Sequence, residues 1–259
     1  MTGDLQNKVA LVTGGTSGIG RDTCILFARE GAKVVFSGRR EAEGQETLEM
    51  VRAEGGEGLF VKMEVSQAAE VQSLVEKTVA KFGRVDIAFN NAGIEGNWTP
   101  IVDQPEEDWD RTIAINLKGV WLCLKYEIKQ MLKHGGGGAI VNMASVAGLM
   151  GSAGAATYGA SKHGVIGLTK AAALESAAKG IRVNAVCPAV IVTPMGDRIF
   201  GEGQPTHDFA IGLHPIGRFG KPMEVAEGVL WMCSDRASFM TGQTLVLDGG
   251  LLAGPNPRS

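Results

Sequence analysis

The sequence has little that points to a membrane, a nucleic acid or a metal ion as a partner. No run of 18 apolar residues is present, and Lys and Arg form only short pairs within a net charge of −3. The four cysteines are widely spaced without a Cys-x-x-Cys pair, and the four histidines are not clustered. The first eight residues are polar and show no signal-peptide pattern. We therefore expect a cytoplasmic protein with reduced core cysteines and no metal site, and no membrane or nucleic-acid partner.

What the sequence does have is a regular alternation of strand-like and helix-like segments. Short β-rich apolar runs lie at 8–13, 33–37, 59–65, 85–89, 139–143, 181–187 and 244–247. Helical patterns lie between them, at 19–30, 41–54, 71–82, 105–133, 156–179 and 223–234. This order predicts an α/β fold, with a doubly wound parallel sheet of about seven strands and helices on both faces. No linker-like break interrupts the pattern, so we expect a single domain over residues 1–259.

The segment 188–221 departs from this alternation. It is rich in Gly and Pro, weakly periodic, and long for a connection in a compact domain. We interpret it as a substrate lid whose apolar side is formed by Met195, Phe200, Phe209 and Leu213. Alternatively, these four side chains pack against the main body of the protein.

A glycine-rich segment, running from Thr13 to Gly20, joins the first strand to the first helix. Its missing side chains let backbone amides approach a pyrophosphate, and the helix N-terminus favours negative charge there. Glycine spacing alone also fits an ordinary tight turn, but a position after the first strand favours a Rossmann-type dinucleotide site. The expected cofactor-binding residues of this turn are Gly14, Thr16, Ser17, Gly18, Ile19 and Gly20.

The end of the second strand indicates which dinucleotide is bound. A carboxylate usually stands there to accept the ribose 2′-hydroxyl, but this chain has Arg39 and Arg40 and no acid. Arginine binds a 2′-phosphate through two parallel hydrogen bonds, whereas a carboxylate repels it. The sequence therefore favours NADP(H) as cofactor, with NAD(H) possible if the two arginines are only solvated.

A candidate acid/base group is Tyr158, which has Lys162 one helical turn further along. Ser145 lies 13 residues before the tyrosine, at the end of a strand, where open α/β sheets bind their ligands. A free tyrosine has a pKa of about 10, and a nearby ammonium group in a cleft lowers it towards about 7. We expect Tyr158 to exchange a proton with a substrate oxygen that Ser145 holds by a hydrogen bond.

Together, the turn from Thr13 to Gly20, Asn90-Asn91-Ala92-Gly93, Ser145 and Tyr158-x-x-x-Lys162 resemble the short-chain dehydrogenase/reductase family, in its oxoacyl reductase and alcohol dehydrogenase-like main branch. The resemblance covers essentially the whole chain. It implies an oxidoreductase that transfers a hydride between NADP(H) and a ketone or secondary alcohol. The alternatives are an NAD-dependent alcohol, diol or sugar dehydrogenase and a catalytically inactive cofactor-binding sensor.

The resemblance also implies roles that the residues alone do not reveal. Asn116 matches the fourth catalytic residue of the family, which holds a water in the proton relay behind the lysine. The further cofactor contacts that it implies are Glu64, Val65, Asn91, Ala92, Gly93, Tyr158, Lys162, Pro188, Ile191 and Thr193. A homotetramer is implied as well, often paired through the two long helices, here about 106–133 and 156–179. The apolar segment 251–253 is a further candidate for subunit contact.

Two positions depart from the family pattern. Ala189 follows Pro188 where the family usually has glycine, and Glu64 stands where it often has aspartate near the adenine amine. The longer carboxylate leaves the adenine contact open. In the loop after the Asn-Asn-Ala-Gly segment, Glu95, Asn97 and Trp98 either contact the substrate or are ordinary loop residues.

Overall fold

A computed structural model describes residues 3–254 of the protein. Its core is one sheet in which every neighbouring pair of strands is parallel. The strands are β1 (Val9–Thr13), β2 (Lys33–Gly38), β3 (Gly58–Lys62), β4 (Ile87–Asn90), β5 (Gly138–Met143), β6 (Ile181–Pro188) and β7 (Thr244–Leu247). Their spatial order, β3-β2-β1-β4-β5-β6-β7, confirms the predicted doubly wound fold. Residues 1–2 and 255–259, which the sequence assigned to the same domain, lie outside the described residues.

Helices cover both faces of this sheet. They are α1 (Gly18–Arg29), α2 (Glu41–Ala53), α3 (Ala68–Phe82), α4 (Glu106–Ile113), α5 (Gly119–His134), α6 (Ala156–Ser176), α7 (Pro194–Phe200), α8 (His207–Gly212) and α9 (Pro222–Cys233). Within residues 3–254, none of these helices combines the length and the apolar character that crossing a membrane requires.

Two apolar layers, one on each face of the sheet, form the core. One layer packs α3, α5 and α6 against the sheet, and the other packs α1, α2 and α9 against the opposite face. Within β1, Leu11 belongs to the first layer while Ala10 and Val12 belong to the second. Because successive strand residues face opposite sides, a strand buried on both faces must be apolar throughout. This requirement explains the continuous apolar runs in the sequence.

The strand order reverses direction between β1 and β4. β1 pairs with β2 on one side and with β4 on the other, so the connections leaving β1 and β4 diverge at their carboxyl ends. Diverging connections leave a crevice at this edge of the sheet, and ligands of open α/β folds bind there. The strand order alone therefore predicts that the binding site lies at this edge of the sheet.

The helix predicted over 105–133 is interrupted. A π-helical turn, Ala114–Lys118, separates α4 from α5. A π turn accommodates one extra residue without ending the helix, so apolar periodicity does not reveal it. The third strand also differs from its predicted bounds, because it ends at Lys62 and leaves Glu64 and Val65 in the turn that follows.

The segment 188–221 has more regular structure than its weak periodicity indicated. It contains α7 and α8, and the first of these begins at a cap in which the Thr193 hydroxyl accepts a hydrogen bond from the Gly196 amide at 3.0 Å. Both helices are short, with seven and six residues. Residues of both helices line the crevice at the edge of the sheet.

Candidate active site

One cleft of about 930 Å³ opens at the carboxyl ends of the strands. The predicted site residues that line it are Gly14, Thr16, Ser17, Gly18, Ile19, Arg39, Arg40, Glu64, Val65, Asn91, Ala92, Gly93, Ser145, Tyr158, Lys162, Pro188, Ile191 and Thr193. Residues separated by up to 179 positions in the chain (14 to 193) therefore meet in one cavity. Two predicted site residues, Gly20 and Asn116, lie outside the lining.

The turn after β1 has the geometry of a phosphate-binding loop. Gly14 has φ +69°, and a Cβ there would lie 2.9 Å from the Cα of Ala92. Gly18 has φ +54° and begins α1, whose N-cap residue Ser17 makes no side-chain cap bond. The first turn of α1 also has no acidic residue. Its amides therefore remain available to an anion, and the turn fits the diphosphate of a dinucleotide.

Gly20 supports this turn from behind and does not line the cleft, although the sequence grouped it with the cofactor contacts. A Cβ at Gly20 would lie 2.2 Å from the carbonyl oxygen of Gly14 and 2.6 Å from Nδ2 of Asn91. Glycine is required there because the helix packs directly on the backbone of the turn.

The start of the loop after β4 is tied to the same turn. Nδ2 of Asn91 donates to the carbonyl oxygens of Thr13 and Gly14, both at 3.1 Å. The Thr13 hydroxyl accepts hydrogen bonds from the amides of Asn91 and Ala92, also at 3.1 Å. These bonds hold the two diverging connections in one arrangement, so the wall of the cleft is formed before a ligand binds.

The two arginines after β2 lie at the edge of the cleft beside the turn. Arg40 donates to the Ser17 hydroxyl at 2.8 Å and to the Thr16 hydroxyl at 3.3 Å. Arg39 forms an ion pair with Glu64 at 3.4 Å. Glu64, which stands where the family often has an aspartate near the adenine amine, therefore contacts Arg39. Arg40 also forms an ion pair with Glu43 at 3.2 Å, so each of the two guanidinium groups at this edge is paired with one carboxylate.

Ser145, Tyr158 and Lys162 lie together on the side of the cleft opposite the glycine turn. Ser145 follows β5, where its hydroxyl accepts from the amide of Ala147 at 3.2 Å and donates to the carbonyl of Pro188 at 3.4 Å. Lys162 is buried; its Nζ donates to the carbonyl of Met143 at 2.9 Å and lies 5.4 Å from the centre of the Tyr158 ring. The arrangement provides a hydroxyl pair for a substrate oxygen and a cation beneath the tyrosine.

The electrostatics of this group differ from the expectation that Lys162 lowers the pKa of Tyr158. Burial raises the pKa of Tyr158 to about 12, opposed by its hydrogen bond with Ser145 and reinforced by the negative charge of Glu95. Burial also lowers the pKa of Lys162 to about 8. The lysine sits under the ring and bonds to a carbonyl, so desolvation of the phenolate outweighs its attraction.

Asn116 is fully buried in the π turn and fixes the loop beside the lysine. Its Oδ1 accepts from the Ile94 amide and its Nδ2 donates to the Ile94 carbonyl, both at 2.8 Å. A Cβ at Gly93 would lie 3.2 Å from Oδ1 of Asn116 and 3.8 Å from Nζ of Lys162. Asn116 and Lys162 therefore lie on either side of Gly93.

The far end of the cleft is closed by side chains from the loop after β4 and from the segment 188–221. Trp98 packs edge-to-face on Phe200 with ring centres 5.4 Å apart, and Glu95 pairs with Arg198 at 2.6 Å. The predicted apolar lid residues Met195, Phe200, Phe209 and Leu213 all line the cleft. Asn97 does not line it, and its amide donates to Asp108 at 3.0 Å.

Sequence reasoning missed Arg198, which lines this end of the cleft. Its partner, Glu95, lies 103 residues earlier in the chain. No local spacing connects the two, and an arginine in a polar helix is ordinarily a solvated residue. Met150 was missed as well, and it lines the cleft from the turn after β5.

Comparison with known proteins assigns this arrangement to one class of oxidoreductases. A family model described as enoyl-(acyl carrier protein) reductase matches residues 14–252. A cyclohexanol dehydrogenase from Acinetobacter sp. is 44% identical over 249 residues, 96% of each chain. A 3-oxoacyl-[acyl-carrier-protein] reductase from Thermotoga maritima is 44% identical over 250 residues, 96% of this chain and 99% of its own.

Among solved structures, an NAD+-bound xylitol dehydrogenase superposes with a TM-score of 0.90 at 34% identity, covering 95% of this chain and 99% of its own. The chain belongs to the short-chain dehydrogenase/reductase family, as its motifs predicted. It is an oxidoreductase that acts on alcohol or carbonyl groups.

Proposed function

We propose that this protein reduces ketones to secondary alcohols, and catalyses the reverse oxidation, with NADP(H) as cofactor and Tyr158 as the catalytic acid/base. The observation that carries the proposal is one cleft with a phosphate-binding turn on one side and Ser145, Tyr158 and Lys162 on the other. When bound, the nicotinamide supplies or accepts the hydride. The chain's own residues must then hold the substrate oxygen and move one proton.

In the reduction, Ser145 and Tyr158 each donate a hydrogen bond to the ketone oxygen. The pKa of Tyr158, raised by burial to about 12, keeps its hydroxyl protonated at neutral pH. Tyr158 is therefore ready to act as an acid, and its proton passes to the oxygen as negative charge develops there. Lys162, with Asn116 behind it, stabilises the phenolate that remains and connects it to solvent for reprotonation.

The preference for NADP(H) rests on the surroundings of Arg40. Its guanidinium already reaches the Ser17 and Thr16 hydroxyls, so a 2′-phosphate beside this turn would meet a positioned cation and two hydroxyl donors. Arg39 adds a second positive charge at the same edge, although Glu64 neutralises part of it.

An NAD-dependent dehydrogenase is the second candidate, because one observation favours it. Glu64 lines the cleft and holds Arg39, so a carboxylate is present near the ribose although none stands at the end of β2. The xylitol dehydrogenase that superposes on this chain is NAD+-bound. A cofactor-binding sensor without catalysis is disfavoured by the buried Asn116 and Lys162, which are costly to retain without a reaction.

We further propose that the substrate is a compact ketone or secondary alcohol of mainly apolar character. The far end of the cleft is lined by Trp98, Met150, Met195, Phe200, Phe209 and Leu213. The segment 188–221 is proposed as the lid of this pocket, because α7 and α8 supply three of these six side chains and Leu213 directly follows α8. A cyclohexanol dehydrogenase among the relatives has a substrate of this kind in its name.

A homotetramer in the cytoplasm completes the proposal. Trp121 and Leu168 line a shallow apolar depression between α5 and α6, the two helices expected to pair between subunits. Leu174 on α6 is 85% exposed, which fits burial by a second copy. The four free cysteines are all buried, as suits a reducing compartment. Light scattering and cell fractionation test these two proposals.

The test of the main proposal is a panel of ketones and secondary alcohols followed by the absorbance of reduced cofactor, with NADPH and NADH in parallel. We expect turnover of small cyclic ketones with NADPH, at a higher kcat/KM than with NADH. Tighter binding of NADH than of NADPH would remove the cofactor assignment. Cofactor binding without turnover of any alcohol or ketone would favour the sensor instead.

A further inference from the structure

The cleft has few charged side chains, and their distribution is uneven. Among the described residues that line it, the charged ones are Arg39, Arg40, Glu64, Glu95, Lys162 and Arg198. The first three surround the phosphate-binding side, and Lys162 lies beneath the reacting tyrosine. Only Glu95 and Arg198 of this described set lie at the end where the substrate is expected.

These two residues form an ion pair in which the two side chains differ in their exposure to solvent. Oε1 of Glu95 accepts from Nε of Arg198 at 2.6 Å, but the Glu95 side chain is 21% exposed and that of Arg198 is 58% exposed. The carboxylate thus lies deeper and the guanidinium nearer to solvent. The backbone that carries Glu95 is held firmly, because Asn116 bonds both to the amide and to the carbonyl of Ile94.

The charge of Glu95 reaches the reacting centre. Its carboxylate contributes to the raised pKa of Tyr158, after the larger effects of burial and of the Ser145 hydrogen bond. Cys187 and Lys162 are the other titratable groups that approach the tyrosine, from β6 and from its own helix. A substrate bound between Ser145 and Tyr158 would therefore experience the charge of the Glu95 carboxylate more strongly than that of the more exposed Arg198 guanidinium.

An anionic substrate would be at a disadvantage in this pocket. It would lose hydration against the apolar side chains and would approach the Glu95 carboxylate, while Arg198 is already paired. An uncharged ketone of the same shape meets neither cost. The pair therefore discriminates by charge without needing a specific contact to the substrate.

We propose that Glu95 is a specificity-determining residue, and that its pairing with Arg198 selects uncharged ketones and secondary alcohols over those that carry a carboxylate. This inference rests on the proposed function, since it concerns the substrate end of the same cleft. It adds the charge of the substrate to its chemical class.

The test compares two ketones of similar shape, 4-methylcyclohexanone and 4-oxocyclohexanecarboxylate. We expect the wild-type protein to prefer the methyl compound in kcat/KM with NADPH. Glu95→Gln leaves Arg198 unpaired and should raise the relative kcat/KM of the carboxylate about tenfold, whereas Arg198→Gln leaves Glu95 unpaired and should lower it by a similar factor. Shifts of the relative kcat/KM in opposite directions would show that the effect arises from charge.

Two further variants distinguish an effect of charge on the substrate preference from an effect of the ion pair on closure of the lid. The double variant Glu95→Gln with Arg198→Gln removes both charges, and its preference should lie between those of the two single variants. Glu54→Gln, in an exposed ion pair with Arg29 outside the cleft, should leave the preference unchanged. If both single variants shift the preference in the same direction, or by less than about twofold, the inference is overturned.

A second measurement does not depend on catalysis. Binding of each ketone in the presence of NADPH can be followed by quenching of tryptophan fluorescence, because Trp98 lines the cleft. If the wild-type protein binds the ketones but turns over neither, the proposed function fails, and the binding preference still decides the role of Glu95. Equal binding of both ketones by all variants overturns that role.

Turnover also has a pH signature. Removing the negative charge of Glu95 should lower the pKa of Tyr158, so the rising limb of alcohol oxidation should move to lower pH by about half a unit in Glu95→Gln. A residue that only supports the loop would lower the rate without moving the limb. An unshifted limb in an active variant would contradict the proposed field effect.

Discussion

The two ends of the cleft are built in different ways. The cofactor end is made largely of backbone: a glycine turn, a helix N-terminus and a loop that Asn91 ties to the turn through two hydrogen bonds of 3.1 Å. The substrate end is made of side chains from segments that are distant in sequence, such as Glu95 and Arg198, separated by 103 residues. The first end is fixed by hydrogen bonds between backbone segments, whereas the second depends on side chains of the segment 188–221 and of the loop after β4.

The two kinds of construction meet two different requirements. The position of the cofactor must be the same for every substrate, whereas selectivity concerns one substrate. Hydride transfer requires the cofactor in one fixed position, and backbone hydrogen bonds provide that position with little dependence on the neighbouring side chains. Selectivity requires a surface that can be altered without disturbing that position. Side chains on a loop and on two short helices meet this requirement.

The largest effect is expected at the junction of the two ends. Tyr158→Phe removes the proton donor but keeps the ring, so kcat should fall about a thousandfold or more while the Kd for NADPH changes less than about threefold. Stopped-flow or steady-state absorbance measures the first quantity and fluorescence titration the second. Tyr126→Phe, which alters the other tyrosine of the chain, is the matched control and should be fully active. Near-normal turnover in Tyr158→Phe would show that another group is the acid.

The pH dependence of alcohol oxidation and of ketone reduction tests the same role of Tyr158. Burial raises the pKa of Tyr158, so its hydroxyl form persists at neutral pH. The oxidation of an alcohol needs the phenolate, and its kcat/KM should rise about tenfold per pH unit until the pKa of Tyr158 in the cofactor complex is reached. The reduction needs the hydroxyl form and should stay level and then fall above the same pKa. A level oxidation profile between about pH 6 and pH 9 would contradict the assignment.

A smaller effect is expected from changing only the cofactor end. Arg40→Ala removes the guanidinium beside Ser17 and should raise the Kd for NADPH about tenfold, with little change for NADH. Arg29→Ala, at an exposed ion pair with Glu54 on the outer side of α1, controls for the loss of one positive charge. Equal loss of affinity for both dinucleotides in Arg40→Ala would indicate a role in the turn and not in 2′-phosphate binding.

The smallest effect should come from the substrate end alone. Trp98→Ala removes the ring that packs on Phe200, so the KM for a cyclic ketone should rise about fivefold while the Kd for NADPH stays constant. Trp109→Ala, an exposed tryptophan of α4 that does not line the cleft, is the control. A comparable change in NADPH affinity would mean that the two ends of the cleft are energetically coupled.

The contrast between local patterns and contacts of distant residues also explains how much of the structure the sequence could predict. The alternation of apolar runs and helical patterns predicts the seven-stranded parallel sheet correctly, because a strand buried on both faces must be apolar throughout. The glycine turn and the Tyr158–Lys162 spacing are local patterns, and the structure brings both to one cleft. Such features are visible because their cause lies within a few residues.

Features that depend on distant contacts were not visible. The pairing of Arg198 with Glu95 has no local pattern, and the π turn at Asn116 leaves the apolar periodicity of the helix almost unchanged. The prediction that the pKa of Tyr158 is lowered was wrong, because burial, a property of the folded chain, raises it. The spacing of Tyr158 and Lys162 shows that they are close, but not that the ammonium lies beneath the ring.

The π turn Ala114–Lys118 constrains the number of residues between α4 and α5. Each residue turns a helix by about 100°, so one extra residue lets α4 and α5 keep independent rotational phases. Asn116 can face Ile94 while Leu122 and Cys123 of α5 remain in the core. Loss of a single residue from this turn would force one of the two phases to change. The chain would then lose either the hydrogen bonds between Asn116 and Ile94 or the core packing of α5, and the extra residue of the π turn allows it to keep both.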